Sequence, residues 1–314
     1  MVTLSIHLIT YNNEKHIEET LQSILKQKVD FKYEIVVGDD CSTDNTFNIL
    51  STYVLKRPDV FKVQKNKKQL GILRNFKVTL DRCSGIYIFD IAGDDLLKHD
   101  NALQKMVDVL KNDSSLGFVD SGYDRFNDKI NSVTVFKNNN QITSSKKTYK
   151  EEILLGKVVP IGHCFNREYL YKYVDFDTYL KMKISVDDYP ILVDLIMNSN
   201  FSRINESLHT YRVHDNSHSH KKELDHLLFQ KNEMKHLFDY FSNKYKFSEK
   251  LKSKYQIDYN KDVLFLTGYF ENKTLGKEIF LKTKSKGIKD WIHFWASQSK
   301  RFRKLISLKK KLLK

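Results

Sequence analysis

The sequence predicts an α/β protein built on a largely parallel sheet, and three observations carry that expectation. Short runs rich in β-branched and aromatic residues alternate with stretches of helical period through the first third of the chain. Their spacing is that of successive β-α-β units. Three of the runs end in polar clusters, Thr10-Tyr11-Asn12, Asp39-Asp40 and Asp94-Asp95, and open parallel sheets bind ligands at the carboxyl ends of their strands. A purely structural protein has no need to gather carboxylates along one sheet edge.

Val2 to Thr10 reads as the first strand, stopped by Tyr11-Asn12-Asn13. Glu14 to Lys26 places Ile17, Leu21, Ile24 and Leu25 on one helical face. Tyr33 to Val37 is a second strand running into the polar loop Gly38 to Thr46. A helix follows with Phe47, Leu50, Tyr53 and Val54, then a weaker strand at Val60–Val63 and a helix opening near Gln69–Phe76. Gly85 to Asp95 is the run on which the rest is organised: a buried-strand composition that halts at glycine and two adjacent carboxylates. Such a pair resists desolvation and repels itself. It is kept either for a hard divalent cation or as a plain turn or cap. Further along, Ala102 to Leu110 is amphipathic and Leu116–Val119 is strand-like. The segment 137–147 reads as a polar loop, and 158–165 as a return to buried sequence. Two short β segments are expected at Phe201–Ile204 and Leu208–His214, with charged helices beyond Ser219.

The totals bound the class. A chain of 314 residues with 40% apolar residues has material for one large domain and an appendage, or two modest domains. No run approaches the roughly 18 apolar residues of a spanning helix. The N-terminus reads as a strand and not as a signal peptide. Three cysteines without CxxC spacing indicate neither a disulfide framework nor a zinc site, so a reducing cytoplasm is expected. The net charge is +14, yet from Trp291 to Lys314 there are eight Lys or Arg and no acid. That asymmetry points to a local anionic partner. Neither G-x-G-x-x-G after the first strand nor a lysine-bearing phosphate loop is present, which disfavours a dinucleotide dehydrogenase or P-loop NTPase.

Four stretches, taken together and in order, resemble the inverting family 2 glycosyltransferases of GT-A fold. They are Leu8-Ile9-Thr10-Tyr11-Asn12, Glu34 through Asp44, Gly71-Ile72-Leu73-Arg74-Asn75, and Asp90-Ile91-Ala92-Gly93-Asp94-Asp95. Cys41 departs from the pattern, standing where glycine is common. The resemblance implies that Thr10, Tyr11, Asn12 and Glu14 line a nucleotide pocket, with Asp40 accepting from the base. Arg74 would face base or diphosphate, against the alternative of a solvated helix charge. Asp94 and Asp95 would hold Mn²⁺ or Mg²⁺ on the diphosphate, Asp95 as the direct ligand. Ser185-Val186-Asp187-Asp188 resembles the family's acidic pair at a helix start, with Asp187 in place of glutamate. It makes Asp188 the catalytic base, while the same pair also reads as a helix cap. Tyr211 to Ser217 resembles the motif closing many catalytic domains of the family. There His214 and Arg212 reach the diphosphate or metal, or serve structure alone. His163 reads as a core histidine more readily than as an acceptor contact.

Domains follow: residues 1–217 as the catalytic domain, split near residue 100 into nucleotide-binding and acceptor halves, and 218–314 as a helical region. In that region Ile288, Trp291, Ile292, Trp295, Phe302, Leu305, Ile306 and Leu313 face away from a basic side. This describes a helix lying on an anionic membrane or one packed on the protein; nucleic acid is set aside because it explains neither Asp pair. The expected function is metal-dependent inverting transfer of a sugar, from a UDP-sugar to a glycan or lipid-linked acceptor. The setting is bacterial surface polysaccharide synthesis at the inner face of the membrane. The rivals are a nucleotidyltransferase and a non-catalytic nucleotide-sugar binder.

Overall fold

The structure is a computed structural model describing residues 1–135, 145–157, 161–214 and 223–303. The chain forms two compact units, Met1–His214 and Asp215–Lys314. In the first, β1 (Leu4–Thr10), α1 (Ile17–Leu25), β2 (Tyr33–Asp39), α2 (Thr46–Lys56), β3 (Phe61–Lys65), α3 (Ile72–Leu80) and β4 (Tyr87–Ala92) alternate as expected. There follow β5 (Leu96–Leu97), α4 (Ala102–Asn112), β6 (Leu116–Asn127), a 3₁₀ turn at Asp128–Ile130 and β7 (Ser132–Thr134). After residue 144 come α5 (Lys146–Leu154), β8 (Cys164–Asn166), α6 (Arg167–Tyr173), α7 (Phe176–Met182), α8 (Asp188–Asn198) and β9 (Asn200–Val213).

Among the described residues these strands make one mixed sheet in the order β3-β2-β1-β4-β8-β6-β9-β5, with β7 hung on β6. The strands β3, β2, β1 and β4 run parallel, while β8 enters antiparallel to both β4 and β6. One face of β1, β2 and β4 presents Leu4, Ile6, Leu8, Ile35, Val37, Phe89 and Ile91 to α1, α2 and α4, where the main core lies. Alternation turns His7 and Asp90 to the other face, under α3. That helix approaches β2 closely: a Cβ on Gly38 would stand 1.9 Å from Thr79 Oγ1.

Two expectations are corrected, and two helices appear that the period does not predict. The two short β segments near residues 201–214 are one 14-residue strand, β9, parallel to β6. Its register shifts between Ser121 and Tyr123 of β6, so bulges broke the period that alternation would have shown. The helix α5 begins inside the expected polar loop: Ser145 caps it by accepting from the Thr148 N–H. Helices α6 and α7 are seven residues each, too short for a period to register. Of the expected loop and of the stretch 158–165, residues 137–144 and 158–160 lie outside the described residues.

The second unit is helical: α9 (Leu224–Lys244), α10 (Glu249–Phe270), α11 (Lys273–Lys282) and α12 (Ile288–Gln298). Val263, Leu264, Ile279 and Phe280 form its core. α12 turns Ala296 and Ser297 inward against glycines of α10 and α11: a Cβ on Gly276 would meet Ser297 Oγ at 2.2 Å. Ile288, Trp291 and Trp295 are left exposed. The helix is thus packed within its own unit while much of its apolar side remains open. The residues expected to continue that side, Leu305, Ile306 and Leu313, lie outside the described residues.

Candidate active site

The polar loops at the ends of β1 and β2 are laced to each other by the residues expected to line the nucleotide pocket. Asn12 adopts a left-handed backbone (φ +53°), donates its N–H to Ser42 Oγ and accepts from the Thr43 N–H through Oδ1 at 2.8 Å. Glu14 accepts from the Asn45 N–H, and its own N–H donates to Asp44. Thr10 is buried; its carbonyl accepts from the Asp40 N–H and its hydroxyl accepts from Asn13 Nδ2. Tyr11 is 40% exposed at the rim.

Asp40, expected to accept from the base, already accepts from Leu70 N–H (2.7 Å), Gly71 N–H (2.9 Å) and Asn66 Nδ2 (3.0 Å). A carboxylate offers about four lone-pair sites, so one remains on Oδ2. Its structural work is to pin the entry to α3, where Gly71 takes φ +84°. Arg74 stands exposed on the first turn of that helix.

Gly93 brings the strand-end carboxylates up to this edge: a Cβ there would lie 2.5 Å from Thr10 Oγ1. Beyond it Asp94 Oδ2 lies 3.0 Å from His214 Nε2, both side chains partly open. Asp95 is buried and its Oδ1 accepts from the Arg212 N–H at 2.9 Å. Burial and the neighbouring Asp94 charge raise its carboxyl well above the ordinary range. The expected direct ligand, Asp95, is therefore committed through one oxygen to β9, and Asp94 is the carboxylate beside the imidazole. The Asp94 carboxylate oxygen suits Mn²⁺ or Mg²⁺, and an imidazole nitrogen beside it favours Mn²⁺ as the softer of the two. Among the described residues no group of three His, Cys, Asp or Glu is arranged to hold a metal. Two protein donors therefore fit an ion that takes its other oxygens from substrate phosphates and water.

Arg212, read from sequence either as reaching diphosphate or metal or as serving structure alone, is spent on protein. Its guanidinium donates to Asp128, to the Asp94 carbonyl and, in a short ion pair, to Glu19. His16 packs against His214 with ring centroids 4.6 Å apart and the ring planes tilted by 44°. Burial first, then the Arg212 and His214 charges, push its imidazole down. Glu19, Asp128 and His16 carry no signal in the sequence, since each is an ordinary polar residue until β9 arrives beside it.

Asp187 and Asp188 stand at the start of α8. Asp187 caps the helix, accepting from the Asp188 N–H at 2.9 Å, and Asp188 accepts from the Tyr189 N–H at 2.6 Å. Burial and the Asp188 charge raise Asp187 well above the carboxylate range. Burial, then the Asp90 charge, push Asp188 up to about 6. Asp90 also raises Asp95, so both acidic pairs lie within electrostatic reach of one strand residue. His163 is buried, with its imidazole pushed down to about 4 by desolvation. It stacks on Phe165 and is buried among core residues, its Nε2 without a hydrogen-bond partner among the described residues. Asp90 and its partner His7 went unremarked in the sequence, although a carboxylate and an imidazole at interior strand positions are themselves a signal.

A mixed sheet with laced polar loops after β1 and β2, one acidic pair after β4 and another opening α8 is the arrangement of a GT-A transferase fold. The chain belongs to glycosyl transferase family 2, whose model matches residues 5–175. It is 28% identical over 184 residues to chondroitin synthase of Escherichia coli, covering 57% of this chain and 26% of that protein. It is 38% identical over 101 residues to the poly(ribitol-phosphate) β-N-acetylglucosaminyltransferase TarS of Staphylococcus aureus, covering 31% of this chain and 17% of TarS. The chain thus spans well under half of the curated relatives it matches. Among solved structures it resembles S. aureus TarS 1–349 in complex with UDP-GlcNAc, with a TM-score of 0.57 and 16% identity over 96% of this chain and 92% of that one. It also resembles the mannosyltransferase PcManGT of Pyrobaculum calidifontis in complex with GDP-Man and Mn²⁺, with a TM-score of 0.58 and 14% identity over 99% and 84% of the two chains.

Proposed function

We propose that this protein is a metal-dependent inverting glycosyltransferase. It moves a sugar from a nucleoside-diphosphate donor, read here as a UDP-sugar, to a hydroxyl of a glycan or lipid-linked acceptor. The setting is bacterial surface polysaccharide synthesis at the inner face of the membrane. The observation that carries this reading is Asp188: a half-buried carboxylate at a helix start, pushed up to about 6. It shares the neighbour Asp90 with the strand-end pair.

The Asp188 carboxylate takes the acceptor hydroxyl proton while that oxygen forms its bond to the anomeric carbon. The bond from that carbon to the diphosphate oxygen breaks, and its electron pair leaves with the nucleoside diphosphate. Attack from the face opposite the leaving group inverts the anomeric centre. Asp187 holds the turn that presents Asp188. Asp94 and His214 would hold the divalent ion, which when bound offsets negative charge on the leaving diphosphate. Arg212 keeps the Asp94–Asp95 turn against β9. Thr10, Tyr11, Asn12 and Glu14 shape the nucleotide loop, the remaining Asp40 lone pair faces the base, and the exposed Arg74 meets base or phosphate. Donors bound in the neighbouring folds, UDP-GlcNAc and GDP-Man with Mn²⁺, support a nucleotide sugar and a divalent ion here. The membrane-side location rests on the basic C-terminal run and the exposed tryptophans of α12.

Asp188→Asn tests the assignment. Turnover should fall by roughly 10²- to 10⁴-fold with donor affinity unchanged by calorimetry; an undiminished rate removes the base. In the parent protein the rate should decline as the pH drops below about 6, where Asp188 takes up a proton. A thermal-shift panel of nucleotide sugars with and without Mn²⁺ identifies the donor, because a ligand of the folded state raises Tm by mass action.

A further inference from the structure

His7 and Asp90 stand directly opposite one another in the parallel register of β1 and β4. Neither residue type belongs by default inside a core strand. His7 is fully buried, its ring 4.4 Å from that of Phe76. Its Nε2 lies 3.0 Å from the Phe76 carbonyl oxygen, and a carbonyl only accepts, so that nitrogen carries a hydrogen. Its Nδ1 lies 2.6 Å from Asp90 Oδ1. Two bare lone pairs do not approach so closely, so one proton sits between them.

The Asp90 side chain is partly open, at 23% exposure, and lies within electrostatic reach of several groups that titrate. His7 comes from β1, His163 from the segment before β8, Asp95 from the turn beyond β4, and Asp187 and Asp188 from the start of α8. Burial keeps His163 neutral near pH 7, so it does not offset the acids. Of these neighbours, His7 is the one hydrogen-bonded to the Asp90 carboxylate.

We propose that His7 and Asp90 form a positioning dyad for the transfer reaction. Their shared proton fixes how much negative charge the site presents to Asp188, and so how readily Asp188 takes the acceptor proton. The inference rests on Asp188 being the base. The dyad acts through Asp188 and need not touch substrate. Its logic is electrostatic: a carboxylate beside another carboxylate strengthens it as a base, and a proton held nearby tempers that effect.

The test uses the full chain and two variants with opposite consequences. Asp90→Asn removes the negative charge; His7→Gln removes the shared proton while keeping a side-chain donor for the Phe76 carbonyl. In protein labelled at aspartate carboxyl carbons, with the Asp188 resonance assigned from Asp188→Asn, the Asp188 titration midpoint is followed without donor. Asp90→Asn should lower it, and His7→Gln raise it, by roughly half a pH unit or more. The acid limb of the kcat profile should move the same way in each variant. Midpoints that move together, or not at all, overturn the dyad. If His7→Gln fails to fold, as near-ultraviolet circular dichroism will tell, an unmoved midpoint in Asp90→Asn alone overturns it. Full turnover by Asp188→Asn beside opposed midpoints would remove the base and keep the coupling. Loss of turnover beside unmoved midpoints would remove the dyad and keep the base.

Discussion

Arg212 shows what a single residue does here that its neighbours in sequence do not announce. Its backbone N–H holds Asp95, its Nε holds the Asp94 carbonyl, and its two terminal nitrogens hold Asp128 and Glu19, partners 84 and 193 residues away. Lysine keeps the charge, but its single ammonium does not span that fork. Arg212→Lys should leave the fold intact and weaken the Asp94–His214 end of the site. A Mn²⁺ titration of transfer activity should show roughly 10- to 100-fold weaker metal dependence, and an unchanged titration refutes this role. The sequence marks Arg212 as polar and near a motif, and no local pattern distinguishes a residue aimed at a ligand from one that organises the neighbouring acidic side chains. Asp94, Asp95, Asp187 and Asp188 are legible for the opposite reason. Paired carboxylates at the end of a strand or the start of a helix are costly without a task, and that cost can be read locally. His7 and Asp90 were legible in principle by the same rule, but each looks like one polar break in an apolar run until the register sets them side by side.

At the scale of elements, the first four strands and three helices follow from period alone, because α1 and α2 bury one apolar face against β1, β2 and β4, and α3 buries Leu73, Phe76 and Leu80 on the other side of the sheet. What period does not carry is closeness of approach. Gly38, at the end of β2, would with a Cβ press on Thr79 Oγ1 at 1.9 Å and Asn75 Oδ1 at 2.9 Å. Asn75 in turn donates to the Gly38 carbonyl and accepts from Asn66, which donates to Asp40. The seat of α3 is therefore tied to the loop after β2 that carries Asp40. Gly38→Ala should destabilise the protein by roughly 1–3 kcal/mol from overpacking, seen as a lower denaturant midpoint, and should weaken donor binding. Adding Thr79→Ala should recover part of both losses; a strictly additive double variant counts against the contact. Elements of the second half were less legible because short helices and a bulged strand interrupt the repeat that a periodic reading needs.

Across the whole molecule, charge and apolar exposure gather at one end of the chain. Eight Lys or Arg and no acid fall between Trp291 and Lys314, and α12 leaves Ile288 81%, Trp291 46% and Trp295 45% exposed even though it is packed against α10 and α11. A helix that buries its small residues and shows its tryptophans is suited to an interface where one side is apolar and the other wet. No helix among the described residues is long and apolar enough to cross a membrane, so the expected association is peripheral and dominated by surface charge. Each basic residue near an anionic surface contributes about 1 kcal/mol, fading with salt. The full chain should therefore sediment with vesicles of anionic phospholipid at low ionic strength and be released as salt rises, while vesicles of zwitterionic lipid should retain little. Trp291→Ala with Trp295→Ala should cut binding to anionic vesicles without changing its salt dependence, whereas removal of residues 304–314, which hold five lysines, should flatten that dependence. Equal sedimentation of all three proteins would leave the exposed face of α12 without a lipid partner and the acceptor without a reason to be membrane-bound.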